Sequence, residues 1–107
     1  MTDPFSTVGF LVLSAGLLGI GLFGILTRRN FILLLISIEI AINAAVLNFV
    51  YFAAFAGSSS VALEGQSAAI VIIGLAATEI AVGLAIVLAL NRSRGSINVA
   101  EAAQLRL

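Results

Sequence analysis

The chain of 107 residues contains no cysteine, histidine, lysine or tryptophan. Without cysteine and histidine it lacks the usual thiolate and imidazole ligands of haem, iron–sulfur clusters and zinc. We therefore expect this chain to bind no metal and no redox cofactor of its own. The absence of cysteine also leaves disulfides and the redox compartment undetermined. A formal net charge of zero argues against a nucleic-acid partner.

Charged residues are scarce. They make up 9% of the chain, against about 25% in typical soluble domains. Hydrophobic residues make up 62%, and the mean hydropathy is +1.25. A soluble chain of this length has too much surface to bury so many apolar side chains. The composition therefore predicts an integral membrane protein with a single domain.

Three apolar runs, at about 5–26, 31–56 and 67–90, are long enough to cross a bilayer, which takes about 20 helical residues. Because unpaired backbone groups are not tolerated in lipid, each run should be a helix. The segments TRRN and GSSSVALEGQ separate the runs, and a polar tail occupies 91–107. The fold class predicted is an all-α membrane protein, with residues 1–107 forming one three-helix domain.

The arginines predict the orientation of the three spans. Arg28 and Arg29 lie in the first break, and two further arginines follow the third span, so all four share one side. Short segments rich in arginine stay on the cytoplasmic side or its equivalent. The other side carries only acidic residues, Asp3 and Glu64. We therefore predict that the N-terminus is outside and the C-terminus inside.

Two carboxylates interrupt the second and third runs. Glu39 lies in LISIEIAINAAVLNF and Glu79 in AATEIAVGLAIVLAL. At about 1.5 Å per residue they are about 12 and 16 Å from the inner boundary, which is near the middle of the membrane. An ionised side chain there costs roughly 2.5 to 3.5 kcal/mol even on the most favourable scale. Acids at this depth therefore indicate function.

The neighbours of each acid indicate a polar or hydrated surrounding. Asn43 is one helical turn beyond Glu39 on the same side, and Thr78 directly precedes Glu79. Gly83, one turn beyond Glu79, leaves room for water or a neighbouring helix. These residues favour a protein interior or a hydrated cavity over direct contact with lipid.

The favoured role for the acids is proton relay. Taking a carboxylate out of water favours its protonated form, so such a group can load and release a proton near neutral pH. The alternative is a permanently protonated glutamate that bonds between helices. Asn48 is about 180° around the helix from Glu39 and should face elsewhere. The rest of a proton path must then come from other subunits. Arg28 and Arg29 serve topology, and a further role is to attract an acidic partner.

The glycines of the first run fall on two sides of its helix. At about 100° per residue, Gly16 and Gly19 share one side, and Gly21 and Gly24 share another. Small residues let helices approach closely in lipid. We therefore predict that the first helix packs between two neighbours.

The run TRRNFILLLISIEIAINAAVLNFV, followed by AATEIAVGLAIVLALNRSRGSINV, closely resembles the K-subunit family of NADH:quinone oxidoreductase, also called chain 4L of complex I or NDH-1. The resemblance covers nearly the whole chain. Its specific parts are the loop Arg28-Arg29-Asn30, Glu39 with Asn43, the Gly-Gln entry to the third helix and Glu79.

The resemblance implies a non-redox subunit of a translocase, packed against the J subunit and the antiporter-like N subunit. Glu39 and Glu79 then look like two acids of the hydrophilic axis that links the quinone site to proton pumping. Arg28 and Arg29 resemble the family's loop arginines on the electron-input side. NADH, FMN, iron–sulfur clusters and quinone would be bound elsewhere in the complex. Thr78 departs from the family's usual alanine, and its hydroxyl is expected to bond Glu79.

Other classes stay open at this point. One is the small subunit of a multisubunit cation/proton antiporter, and another is the matching subunit of a membrane-bound hydrogenase or related dehydrogenase. A rotor ring is disfavoured because it typically has two helices and one essential acid. A purely structural bundle is the last alternative. The expected location is the bacterial plasma membrane, with organellar and archaeal membranes as alternatives.

Overall fold

The computed structural model describes residues 6–94 and 98–102 and contains three long helices and one short helix. The four helices are α1 (Thr7–Thr27), α2 (Phe31–Ala54), α3 (Ser59–Arg94) and α4 (Val99–Ala102). The first three are each long and apolar enough to cross a membrane. The predicted all-α fold with three spans is confirmed.

The third helix begins much earlier than predicted. The chain reverses at Gly57, whose φ is +71°, and Ala62 donates a backbone hydrogen bond to the Ser58 carbonyl (3.0 Å). The residues that follow include alanine, leucine and glutamate, which favour helix. The predicted loop at 57–66 is therefore wrong beyond its first two residues, and Glu64 lies on α3.

The other predicted boundaries are close to the observed ones. The first helix ends at Thr27 rather than at 26, and its predicted start at residue 5 lies outside the described residues. The second helix ends at Ala54 rather than at 56. The third continues to Arg94, so the beginning of the predicted polar tail is helical. The end of that tail, at 103–107, lies outside the described residues.

Polar residues in the breaks begin the helices. The Asn30 side-chain oxygen accepts hydrogen bonds from the backbone N–H groups of Ile32 (2.9 Å) and Leu33 (3.4 Å). The Ser6 hydroxyl accepts one from Gly9 (3.2 Å) at the start of α1. Such caps satisfy backbone donors that have no partner inside the helix. The TRRN break thus ends one span and begins the next within three residues.

The long helices form a single layer with α2 in the middle. On α2, Ser37 and Ala41 lie against α1, whereas Leu35 and Ala53 lie against α3. Ser37 is about 200° around the helix from Leu35, so the two neighbours contact opposite sides of α2. The molecule measures 54 × 31 × 19 Å, as expected for helices placed side by side. We call this arrangement the three-helix layer.

Glycines set the distance between α1 and α2. A Cβ atom added to Gly21 would lie 2.7 Å from the nearest backbone nitrogen of α2, and one added to Gly24 would collide with the Ser37 hydroxyl. A Cβ at Gly16 or Gly19 would meet nothing within 4 Å. The prediction that the glycines occupy two sides is therefore confirmed for the side facing α2. The other side is open in this chain.

Aromatic residues join the start of α1 to the end of α2. The Tyr51 ring stacks on Phe10 with ring centroids 4.2 Å apart, and its hydroxyl is 2.7 Å from the Thr7 hydroxyl. Tyr51 is buried, with 7% of its surface exposed. Aromatic residues with a polar group are common where a span meets the membrane surface. This cluster fixes the two helices at that end.

Most large apolar side chains face outward. Leu26 is 83% exposed and Ile70 is 70% exposed within this chain. A surface of this kind is stable only against lipid or other membrane chains. The layer therefore presents two broad apolar faces.

The segment after α3 returns to the break between α1 and α2. The Val99 backbone N–H donates to the Arg29 carbonyl (2.8 Å), and Asn98 pairs with Asn30 in an isolated bridge. The Asn98 side chain also accepts a hydrogen bond from Ala100 (2.9 Å). This contact ties the end of the chain to the first break. We call this end of the layer, which carries Arg28, Arg29 and Arg92, the arginine end.

Replacing Val99 by proline should release this segment. Proline removes the N–H that bonds Arg29, yet it is tolerated at the first position of a helix. We expect trypsin to cut after Arg92 or Arg94 several times faster, because a typical hydrogen bond contributes about 1 kcal/mol. Val99→Ala, which keeps the N–H group, is the control. Equal cleavage of both variants would contradict the role of this bond.

Candidate functional site

Two contacts define how α2 and α3 are aligned. A Cβ added to Gly83 would lie 2.5 Å from a methyl carbon of Leu35, and one added to Gly65 would collide with the Ala53 side chain. From Leu35 to Ala53 is 18 residues along α2, and from Gly83 back to Gly65 is 18 residues along α3. The helices are therefore antiparallel. A residue a given number of positions beyond Leu35 on α2 lies level with the residue the same number of positions before Gly83 on α3.

This alignment places the two acids at the same depth. Glu39 is four residues beyond Leu35, and Glu79 is four residues before Gly83. The two glutamates consequently lie level with each other on neighbouring helices. The depths of about 12 and 16 Å estimated from the ends of the apolar runs are similar to each other, and the helix contacts show the match directly.

Glu39 lies in a narrow groove between α2 and α3. Its side chain is half-buried, and the groove has a volume of about 180 Å³. Apart from Glu39 the lining is apolar, and α3 contributes Ile80 and Leu84 to it. The surroundings of this carboxylate within the chain are thus hydrocarbon side chains.

Glu79 lies on the other side of α3. Its side chain is exposed in this chain and does not line the groove of Glu39. Ile80 and Leu84, which line that groove, are about 100° and 140° around α3 from Glu79. The two acids therefore point to opposite faces of the three-helix layer. We call them the Glu39 face and the Glu79 face.

A larger groove lies on the Glu79 face, between the end of α2 and the start of α3. Its volume is about 670 Å³. Val61, which lines this groove, is about five helical turns from Glu79 and lies on the same side of α3 as Glu79. Asn48 also lines it, and so faces away from Glu39 as its spacing predicts. We call it the Glu64 groove; it is lined by Ala45, Asn48, Phe52, Val61, Glu64 and Ala68, among others.

The three residues predicted to support the acids have different surroundings. The Thr78 hydroxyl donates to the Leu75 carbonyl (2.7 Å) rather than bonding Glu79. The space at Gly83 is filled by a leucine of α2 and is not left for water. Asn43 is exposed on the Glu39 face, one turn beyond the acid. Of the three, Asn43 alone offers a polar group beside its glutamate.

Arg28 and Arg29 are exposed in the break between α1 and α2, far along the layer from the Glu64 groove. Within residues 6–94 and 98–102, no three potential metal ligands lie together. The exposed side chains of Arg28, Arg29 and Arg92 make the arginine end a basic surface.

The sequence alone did not reveal two features of the site. One is that the acids face opposite sides, and the other is the groove that joins Asn48 to Glu64. The sequence predicts only that Asn48 faces away from Glu39, and it predicts a loop at Glu64. The 18-residue interval between Val61 and Glu79, a whole number of helical turns, predicts that the two residues share one side of a helix but not which way that side faces.

The fold and site define a class: small three-helix membrane proteins with two acids at equal depth in neighbouring spans. The family model described as NADH-ubiquinone/plastoquinone oxidoreductase chain 4L matches residues 9–107. The chain therefore belongs to the chain 4L, or K-subunit, family of NADH-quinone oxidoreductase. It is a subunit of that enzyme complex, and its partners include other subunits of the complex.

Individual relatives agree with the family match. NADH-quinone oxidoreductase subunit K of Anaeromyxobacter sp. strain K is 50% identical over 92 residues, covering 86% of this chain and 89% of the relative. The Deinococcus radiodurans subunit K is 42% identical over 106 residues, covering 99% of both chains. Subunit 11 of the Thermus thermophilus enzyme is 43% identical over 99 residues, covering 92% and 99%.

Proposed function

We propose that this chain is a non-redox subunit that relays protons, or protonation changes, through Glu39 and Glu79. It thereby couples quinone reduction to proton translocation. The observation that carries the proposal is that the two acids lie at one depth on opposite faces of the layer. A path through both glutamates runs parallel to the membrane, from one neighbouring subunit through this chain to the next.

The chemistry required of each glutamate is to accept and release one proton. Apart from Glu39 itself the groove is lined by apolar side chains, so the group that gives or takes the proton of Glu39 must be water or a side chain of a partner. Glu79 is open to whichever chain covers its face. Intervening water and the polar side chains of partners carry the proton between stations, because the spans of this chain contain few polar groups. Changes in those partners then set when each glutamate is protonated.

Membership of the family supports a proposal for the partners and cofactors. We propose J-type and N-type subunits as the neighbours on the two faces of the layer. NADH, FMN, the iron–sulfur clusters and quinone belong to other subunits; for the clusters, the lack of cysteine and histidine in this chain supports the assignment. The relatives described above are bacterial, which supports the bacterial plasma membrane as the location.

We also propose that the arginine end faces the cytoplasm. Because the chain has no cysteine, single cysteines introduced at Ser60 and at Ser93 can be labelled selectively. A membrane-impermeant maleimide added outside intact cells should label Ser60→Cys, and inside-out vesicles should reverse the result. Ser93→Cys is the matched control at the opposite end. Labelling of Ser93→Cys from outside would contradict this orientation.

The relay is tested by measuring proton pumping per NADH oxidised in membranes that carry Glu39→Gln, Glu79→Gln or both. Loss of pumping in an assembled complex supports the relay. If the double variant pumps as the native enzyme does, the glutamates serve helix packing instead.

A further inference from the structure

Two polar groups in the Glu64 groove lack partners within the described part of this chain. Asn48 is on α2 and half-buried, and its amide makes no hydrogen bond there. Glu64 is exposed at the end of the groove and pairs with no basic side chain there. The arginines whose side chains the structure describes, Arg28, Arg29 and Arg92, are all at the arginine end, at the opposite side of the membrane.

The rest of the groove suits a tightly packed helix. Phe52 and Val61 are 51% and 44% exposed and form apolar walls. Ala45 and Ala68 are small, and small residues let a second backbone approach closely in lipid. An amide at this depth is costly unless it is hydrogen-bonded, because lipid tails offer no partner. A helix with polar side chains meets that requirement, whereas acyl chains do not.

We propose that the Glu64 groove seats one transmembrane helix of another subunit, which presents an arginine or lysine to Glu64 and a hydrogen-bonding side chain to Asn48. Glu64 lies level with the end of α2, six residues beyond Asn48 by the helix alignment. The two groups are thus about 9 Å apart along the helix axis. A distance of about 9 Å is six residues of a helix, and the nearest spacing that keeps two side chains on one side is seven residues, about 10.5 Å, so the partner's cation and polar residue should be about seven residues apart. This proposal does not depend on the relay role of Glu39 and Glu79.

The experiment places a photo-reactive amino acid at Phe52, inside the groove, in the purified complete complex. The control position is Leu63, which is 66% exposed and points away from the groove on α3. After irradiation, mass spectrometry identifies the linked peptide. We expect Phe52, and not Leu63, to link to a single transmembrane helix that has the predicted cation and polar residue. Val61 is the second groove position if the change at Phe52 prevents assembly.

The charge of Glu64 is then tested in the same complex. Glu64→Gln should lower the yield of the groove crosslink by at least about threefold, whereas Glu64→Asp, which keeps the charge, should retain most of it. Glu64→Arg combined with glutamate at the partner's cation should restore the yield. Adducts with lipid alone, a linked helix without a basic residue, or a yield insensitive to Glu64→Gln would overturn the proposal.

Discussion

Replacing Glu39 or Glu79 by glutamine should lower NADH-driven proton pumping by at least about tenfold while the complex remains assembled. Glutamine keeps the shape and can form hydrogen bonds, but it cannot take up or release a proton. In the proposed relay a proton that passes through this chain needs both acids, because they lie on opposite faces of one layer. The double variant should therefore be no worse than the more severe single variant, as expected for groups that act as a unit.

The measurement compares acidification of inside-out vesicles with NADH oxidation in the same preparation, after native gels confirm equal amounts of complex. Thr78→Val is the control next to Glu79, because the Thr78 hydroxyl bonds the Leu75 carbonyl rather than the acid. Its pumping should stay within about twofold of the native level, as for most exposed substitutions. Single variants that each keep part of the pumping, with a double variant that loses the sum of the two parts, would indicate two parallel pathways, in conflict with a relay in series.

Replacing Gly21 by alanine is expected to have the largest effect on assembly. The added Cβ would lie 2.7 Å from the Ala41 nitrogen, 2.8 Å from its Cβ and 2.9 Å from its Cα. Two of these are backbone atoms, so the clash is relieved only by separating α1 from α2. Overpacking of this kind costs about 1 to 3 kcal/mol or more. We expect several-fold less of this chain in the native-size complex after solubilisation at raised temperature.

A matched pair of variants at Gly24 checks this account. A Cβ there would collide with the Ser37 hydroxyl and lie 2.7 Å from the Ser37 Cβ, whereas the Ser37 Cα is 3.7 Å away. Ser37→Gly removes both close atoms, so Gly24→Ala with Ser37→Gly should assemble better than Gly24→Ala alone. Assembly of the pair is compared with that of Ser37→Gly alone, because this change has costs of its own. Glycine inside a helix costs about 1 kcal/mol, and the hydrogen bond from the Ser37 hydroxyl to the Leu33 carbonyl (2.7 Å) is lost. Normal assembly of Gly24→Ala, or no improvement in the pair, would show that this contact does not set the helix distance.

Much of the fold followed from the sequence because length and hydropathy alone decide which segments cross a bilayer. The start of α2 at Phe31 was predicted correctly, since the TRRN break supplies a capping asparagine. The start of α3 was missed by eight residues. Serine and glycine in GSSSVALEGQ suggested a loop, but one turn at Gly57 is enough to reverse the chain, and helix formation resumes at Ser59.

The sequence by itself determined three helices able to span a membrane, and it predicted a mid-membrane position for Glu39 and Glu79, because the rise of a helix is constant and the apolar runs have measurable ends. Only the tertiary structure decided which way the acids face. The spans are apolar on all sides, and the lipid and the neighbouring helices around them are equally apolar. Hydrophobic periodicity therefore does not reveal which side of a span contacts another helix. That side is fixed by close packing of small residues, as where Leu35 meets Gly83 and Ala53 meets Gly65. These contacts place one glutamate on each face of the layer.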